Sequence, residues 1–83
     1  MDLKDKIAII TGGASGLGEA TLRRFVVHGA KCAIFDMNEE RGAALVDELG
    51  DNVIYQQVNV TDEASVGQAI QSLEVAFGPA HIC

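Results

Sequence analysis

Cysteine is scarce in this chain of 83 residues, which carries only Cys32 and Cys83. There is no CxxC pair and no Cys/His cluster, so a disulfide scaffold and a structural zinc site are both excluded. Cys32 lies in an apolar strand-like run and Cys83 is terminal, the usage of a reducing compartment. His28 and His81 stand too far from other ligand types to suggest a metal. Basic residues are also few. Six Lys and Arg face twelve Asp and Glu, for a net charge of −6, and such a surface repels a phosphate backbone, which argues against nucleic acid as a partner. No apolar run approaches the ~18 residues of a membrane span. The N-terminus enters an apolar segment too short for a secretory h-region, so the expected location is intracellular, in cytoplasm or mitochondrial matrix, without membrane association.

What remains is the composition of one globular domain, 48% hydrophobic and 22% charged. At this size only roughly 60–65% of the unfolded surface can be buried, so the core is marginal. No repeat, linker or low-complexity tract interrupts it. Instead, short apolar runs alternate with longer helical patterns. Ile7-Ala8-Ile9-Ile10 is continuous, as in a strand buried on both faces. A helical pattern begins near Gly16 and ends before Gly29. Its expected stripe is Leu17, Ala20, Thr21 and Arg24, with Leu22, Phe25 and Val26 beside it. Cys32-Ala33-Ile34-Phe35 forms a second strand closing on Asp36. Asn38 is placed to cap a helix running to about Leu49, with Ala43, Leu45, Val46 and Leu49 inward. Val53 to Val58 reads as a third strand. Thr61 is expected to cap a third helix, with Val66, Ala69, Ile70, Leu73 and Phe77 inward, stopped by Gly78-Pro79. Ala80 to Cys83 resembles the start of a fourth strand. The order β-α-β-α-β-α predicts an α/β fold: a parallel sheet with right-handed crossovers.

The junction between the first strand and the first helix carries "TGGASGLG". A helix N-terminus presents unpaired N–H groups and a partial positive charge, and it attracts an anion if the backbone can come close. Glycine permits that approach and the positive φ of a tight turn. Gly12, Gly16 and Gly18 follow a T-G-x-x-x-G-x-G spacing. This is neither the usual G-x-G-x-x-G nor a Walker A loop, because no Lys-Ser/Thr follows the last glycine. A glycine-rich turn without a ligand is the plain alternative. Asp36 weighs against it. It ends the second strand eighteen residues after Gly18, close to the ~20 expected of an acid that binds a ribose. A carboxylate there accepts hydrogen bonds from both ribose hydroxyls and repels a 2′-phosphate. No Lys or Arg lies between Gly12 and Gly18 to attract that phosphate, so the expected cofactor is NAD in preference to NADP. A mononucleotide or a coenzyme A phosphate would fit the turn but leave Asp36 without a role.

At these residues the chain resembles the short-chain dehydrogenase/reductase family. "TGGASGLG" matches its cofactor motif, "FDMNEE" its NAD-selecting strand end, and "NVTDEASV" its D-V-T/S segment. The local wording also resembles the 3-hydroxyacyl-CoA dehydrogenase type 2 branch. The resemblance implies a Rossmann-type doubly wound sheet, of which residues 1–83 supply the N-terminal part. It further implies that Ser15 and Leu17 touch the diphosphate and neighbouring ribose, Asp36 holds the adenosine ribose, Met37 flanks the adenine, and Asn59 and Val60 lie at its edge. The family more often has Asp at the position of Asn59.

The implied reaction is hydride transfer between NAD and a hydroxyl or carbonyl substrate, of hydroxyacyl-CoA or hydroxysteroid type. The family's N-N-A-G segment, catalytic Ser and Tyr-x-x-x-Lys pair have no match among these residues. The single tyrosine, Tyr55, is followed four residues later by Asn59, not Lys. No catalytic residue and no metal ligand is therefore assigned. The expectation is an N-terminal piece of a longer enzyme, inactive by itself. In the doubly wound order a fourth strand flanks the first, so the alternative is a non-catalytic module that pairs with itself or another chain through an open sheet edge.

Overall fold

A computed structural model of the protein describes residues 3–12 and 16–79. Three strands and three helices alternate: β1 (Ile7–Thr11), α1 (Gly16–Val27), β2 (Lys31–Asp36), α2 (Glu39–Leu49), β3 (Val53–Gln57) and α3 (Glu63–Phe77). The strands form one parallel sheet in the order β1-β2-β3. Ala8 pairs with Cys32 and Ile10 with Ile34, while Cys32 pairs with Val53 and Ile34 with Tyr55. This is a Rossmann-type α/β arrangement. The expected fourth strand, 80–83, lies outside the described residues.

Period-two alternation divides the apolar strands between two cores. On one face Ala8, Ile10, Cys32, Ile34 and Val53 pack with Leu22 of α1 and Leu45 of α2. On the other, Ile7, Ile9, Ala33, Phe35 and Val58 pack with Ala69 and Leu73 of α3. Helices on both faces explain why β1 and β2 read as unbroken apolar runs.

Some local expectations are corrected. In α1 the inward residues are Leu22, Phe25 and Val26, whereas Leu17, Ala20 and Arg24 are exposed. The apolar i, i+3, i+4 set prevails over a stripe that included arginine and threonine. In α2 Ala43 is exposed and Gly42 is buried in its place. Asn38 caps α2 as expected, its Oδ1 accepting from the Arg41 N–H at 3.0 Å. α3 is capped by Asp62, not Thr61. The Asp62 Oδ1 accepts from the N–H groups of Ala64 and Ser65, at 3.0 and 3.4 Å. Thr61 is turned back on Asn59, donating to its Oδ1 from both N–H and Oγ1, at 3.0 and 2.6 Å.

Among the described residues no helix is long and apolar enough to cross a membrane. Nor do any His, Cys, Asp or Glu there group in a way that could hold a metal ion.

Candidate functional site

The carboxyl ends of β1, β2 and β3 bring together most of the residues singled out in the sequence. The Gly12 N–H donates to the Phe35 carbonyl at 2.9 Å, continuing the β1–β2 ladder one residue beyond β1. This bond sets the first glycine of the turn beside the residue preceding Asp36. Gly12 and Gly16 have φ of 65° and 47°, and a Cβ at either would meet nothing within 4 Å. The left-handed backbone accounts for glycine at both positions, and no described residue crowds either of them. Gly18 sits partly buried in the first turn of that helix. Ser15, with Gly13 and Ala14, lies outside the described residues.

Asp36 is half-buried at the end of β2. Its Oδ1 accepts from the Asn38 N–H at 2.9 Å, an Asx turn that fixes the carboxylate at the corner leading into α2. Its backbone carbonyl accepts from the Tyr55 hydroxyl at 2.8 Å and from the Val58 N–H at 3.2 Å. The β2 corner is thus tied to β3 from both main chain and side chain. Burial, with the Asp36 and Glu39 carboxylates nearby, pushes the Tyr55 phenol above its ordinary pKa, so it remains a protonated donor at neutral pH.

Leu17, Met37 and Val60 are 85%, 58% and 56% exposed. They are three of the five large exposed apolar side chains among the described residues; Met37 directly follows β2, Val60 comes three residues after β3, and Leu17 is in the first turn of α1, the helix that follows β1. Exposed apolar groups concentrated at one rim mark a binding surface more than a solvated one. Asn59 follows Val58 on the same rim. Its side-chain oxygen is engaged by Thr61, so ligand contact through that oxygen would compete with the turn.

Behind this rim, Glu19 in the first turn of α1 joins Arg23 at 3.0 Å and also contacts Arg41 of α2, while Arg23 contacts Glu48. Arg41 and then Arg23 hold the Glu19 carboxyl below its usual range, and Arg23 does the same for Glu48. Sequence reasoning missed this network: Glu19 and Arg23 stand at i,i+4 spacing on α1, but the pairs to Arg41 and Glu48 join different helices and leave no spacing signal. The concavity lined by Asn38, Glu40, Arg41 and Ala44 lies at the start of α2 and is not the candidate site.

The short chain dehydrogenase family model matches residues 6–82. The chain belongs to the short chain dehydrogenase family. Momilactone A synthase of Oryza sativa subsp. japonica is 47% identical over 77 residues, covering 92% of this chain and 28% of that protein. The 3-hydroxyacyl-CoA dehydrogenase type-2 of Drosophila melanogaster is 40% identical over 76 residues, covering 92% of this chain and 30% of that protein. Among solved structures, the 3-ketoacyl-(acyl-carrier-protein) reductase from Brucella melitensis, complexed with NADH, superposes with a TM-score of 0.90 at 33% identity, covering 94% of this chain and 32% of that one. The chain therefore spans less than a third of the length of these relatives.

Proposed function

We propose that this chain is the NAD-binding part of a short chain dehydrogenase. The observation that carries the reading is the pairing of a glycine turn at the end of β1 with a fixed carboxylate at the end of neighbouring β2, joined by the Gly12–Phe35 hydrogen bond. Gly12, Gly16, Gly18 and Leu17, with Ser15, would receive the diphosphate at the start of α1. Asp36 would accept from the adenosine ribose hydroxyls, and Met37, Asn59 and Val60 would border the adenine. NAD, when bound, supplies a hydride acceptor. The NADH named with the Brucella reductase supports this cofactor class.

The parent reaction we propose is hydride transfer between a hydroxyl or carbonyl substrate and NAD. These residues contribute binding and orientation, and none has a catalytic role. The relatives' names range over momilactone, 3-hydroxyacyl-CoA, secoisolariciresinol and borneol, so the segment they share supports no choice of substrate. Pairing with another chain would run along β1, one of the two outer strands of the described sheet and the more apolar of them.

Calorimetric titration of the protein with NAD and NADP tests the proposal. NAD should bind more tightly, and Asp36→Ala should weaken NAD by about 10- to 100-fold, the worth of charged hydrogen bonds to the ribose. NADP should be little affected or improved. Equal affinities in the unaltered protein, or an Asp36→Ala variant that binds NAD as before, would sink the reading.

A further inference from the structure

We infer that Tyr55 is a positioning residue for cofactor choice: its hydroxyl holds the Asp36 corner in the geometry that separates NAD from NADP. The inference rests on the proposed NAD site and assigns a role to a residue of β3, two strands away from the glycine turn.

Three contacts define the arrangement. The Tyr55 hydroxyl donates to the Asp36 carbonyl at 2.8 Å. The Val58 N–H also donates to that oxygen, at 3.2 Å, so the phenol makes the shorter bond of the two. On the far side, the tyrosine ring lies against Gly42 of α2, so closely that a Cβ there would fall 2.2 Å from its Cδ1 and 2.4 Å from its Cε1. The ring is therefore held between α2 and the β2 corner and cannot swing away without opening that contact. Finally, the carboxylate is bound to the chain two residues further on, through the Asn38 N–H at 2.9 Å. Fixing the Asp36 carbonyl fixes the peptide plane from which Met37 and Asn38 depart, and so the direction of the carboxylate.

A carboxylate so held discriminates on both counts. It accepts from two vicinal hydroxyls only when its oxygens face them, and it repels a 2′-phosphate most when it cannot turn aside. Loss of the hydroxyl leaves the ring and its packing in place and frees the corner to rotate. Tyr55→Phe should therefore weaken NAD and relieve the penalty on NADP together. A purely structural tyrosine would instead lower both affinities in proportion, or lower only the melting temperature.

The experiment is calorimetry of the unaltered chain and the Tyr55→Phe variant with NAD and NADP, beside amide exchange followed by NMR. The NAD-over-NADP ratio should fall about three- to tenfold, the worth of one neutral hydrogen bond. Exchange at the Asn38 amide should accelerate relative to amides in the centre of β2. An unchanged ratio in Tyr55→Phe, with the unaltered chain still preferring NAD, overturns this inference and leaves the proposed function standing. A proportional loss of both cofactors overturns it equally. An unaltered chain that binds neither cofactor overturns the proposed function, and the inference falls with it.

Discussion

The clearest residue-scale contrast lies between Cys32 and Asp36, four positions apart on the same strand. Cys32 is fully buried, and burial pushes its thiol from an ordinary 9.0 to about 11. In the folded chain it is a small apolar group filling the core, not a nucleophile. The native thiol should alkylate at mildly alkaline pH about a hundredfold more slowly than in the chain unfolded by urea, because its thiolate fraction is smaller by that factor; mass mapping of the Cys32 peptide reads this directly. The sign of the linkage follows. Stability from burying the neutral thiol is complete below the unfolded pKa near 9 and is lost as pH rises through about 11. The strand pattern already showed Cys32 as buried. The place of Asp36 at the end of β2 was legible in the sequence, but its tie to Tyr55 was not, because hydrogen-bond partners across strands leave no trace in spacing.

At the scale of elements, the contact between α2 and β3 shows what periodicity misses. A helical wheel offers both Gly42 and Ala43 as inward candidates, and apolarity favours alanine. The structure buries the glycine because the Tyr55 ring occupies the volume a methyl would need. Gly42→Ala tests this with opposed terms. Alanine raises helix propensity by about 1 kcal/mol, while forcing a carbon into a held ring costs typically 1–3 kcal/mol. The clash should prevail, lowering stability in urea denaturation. In a Tyr55→Ala background the same change should become neutral or stabilising, a double-mutant cycle with coupling of roughly 1–3 kcal/mol. The cap of α3 teaches a similar lesson. Thr61 and Asp62 are both good caps by residue type, and the choice fell to Asp62 because Asn59 had already engaged Thr61. The order and length of the elements were legible because β1 and β2 are continuous apolar runs and Gly29, Gly50 and Gly78 mark the helix ends. The inward face of α1 was not, since two overlapping stripes satisfy the same period.

At the scale of the whole molecule, two thin cores share one three-stranded sheet, and such a fold is marginal. Ligand binding should therefore be easy to detect as stability. At a hundred times its dissociation constant, NAD should add about 2.7 kcal/mol, which in a chain of this size raises the melting midpoint by roughly 10–20 °C. NADP at the same concentration should add less, and thermal unfolding with each cofactor reads the difference. A midpoint indifferent to NAD would argue against the site.

The placement of α3 has a consequence for direction. α1 and α2 cover one face of the sheet and α3 the other. A strand–helix–strand connection that keeps its right hand must reverse its progress across the sheet when its helix changes face. The first two connections carry the chain from β1 outward to β3, so any parallel strand that follows α3 is steered back past β1. The direction of winding then inverts at the carboxyl end of β1, where neighbouring connections diverge to opposite faces and leave a crevice. Gly12 stands at that divide, so the helix faces and the glycine turn locate the same point by independent routes.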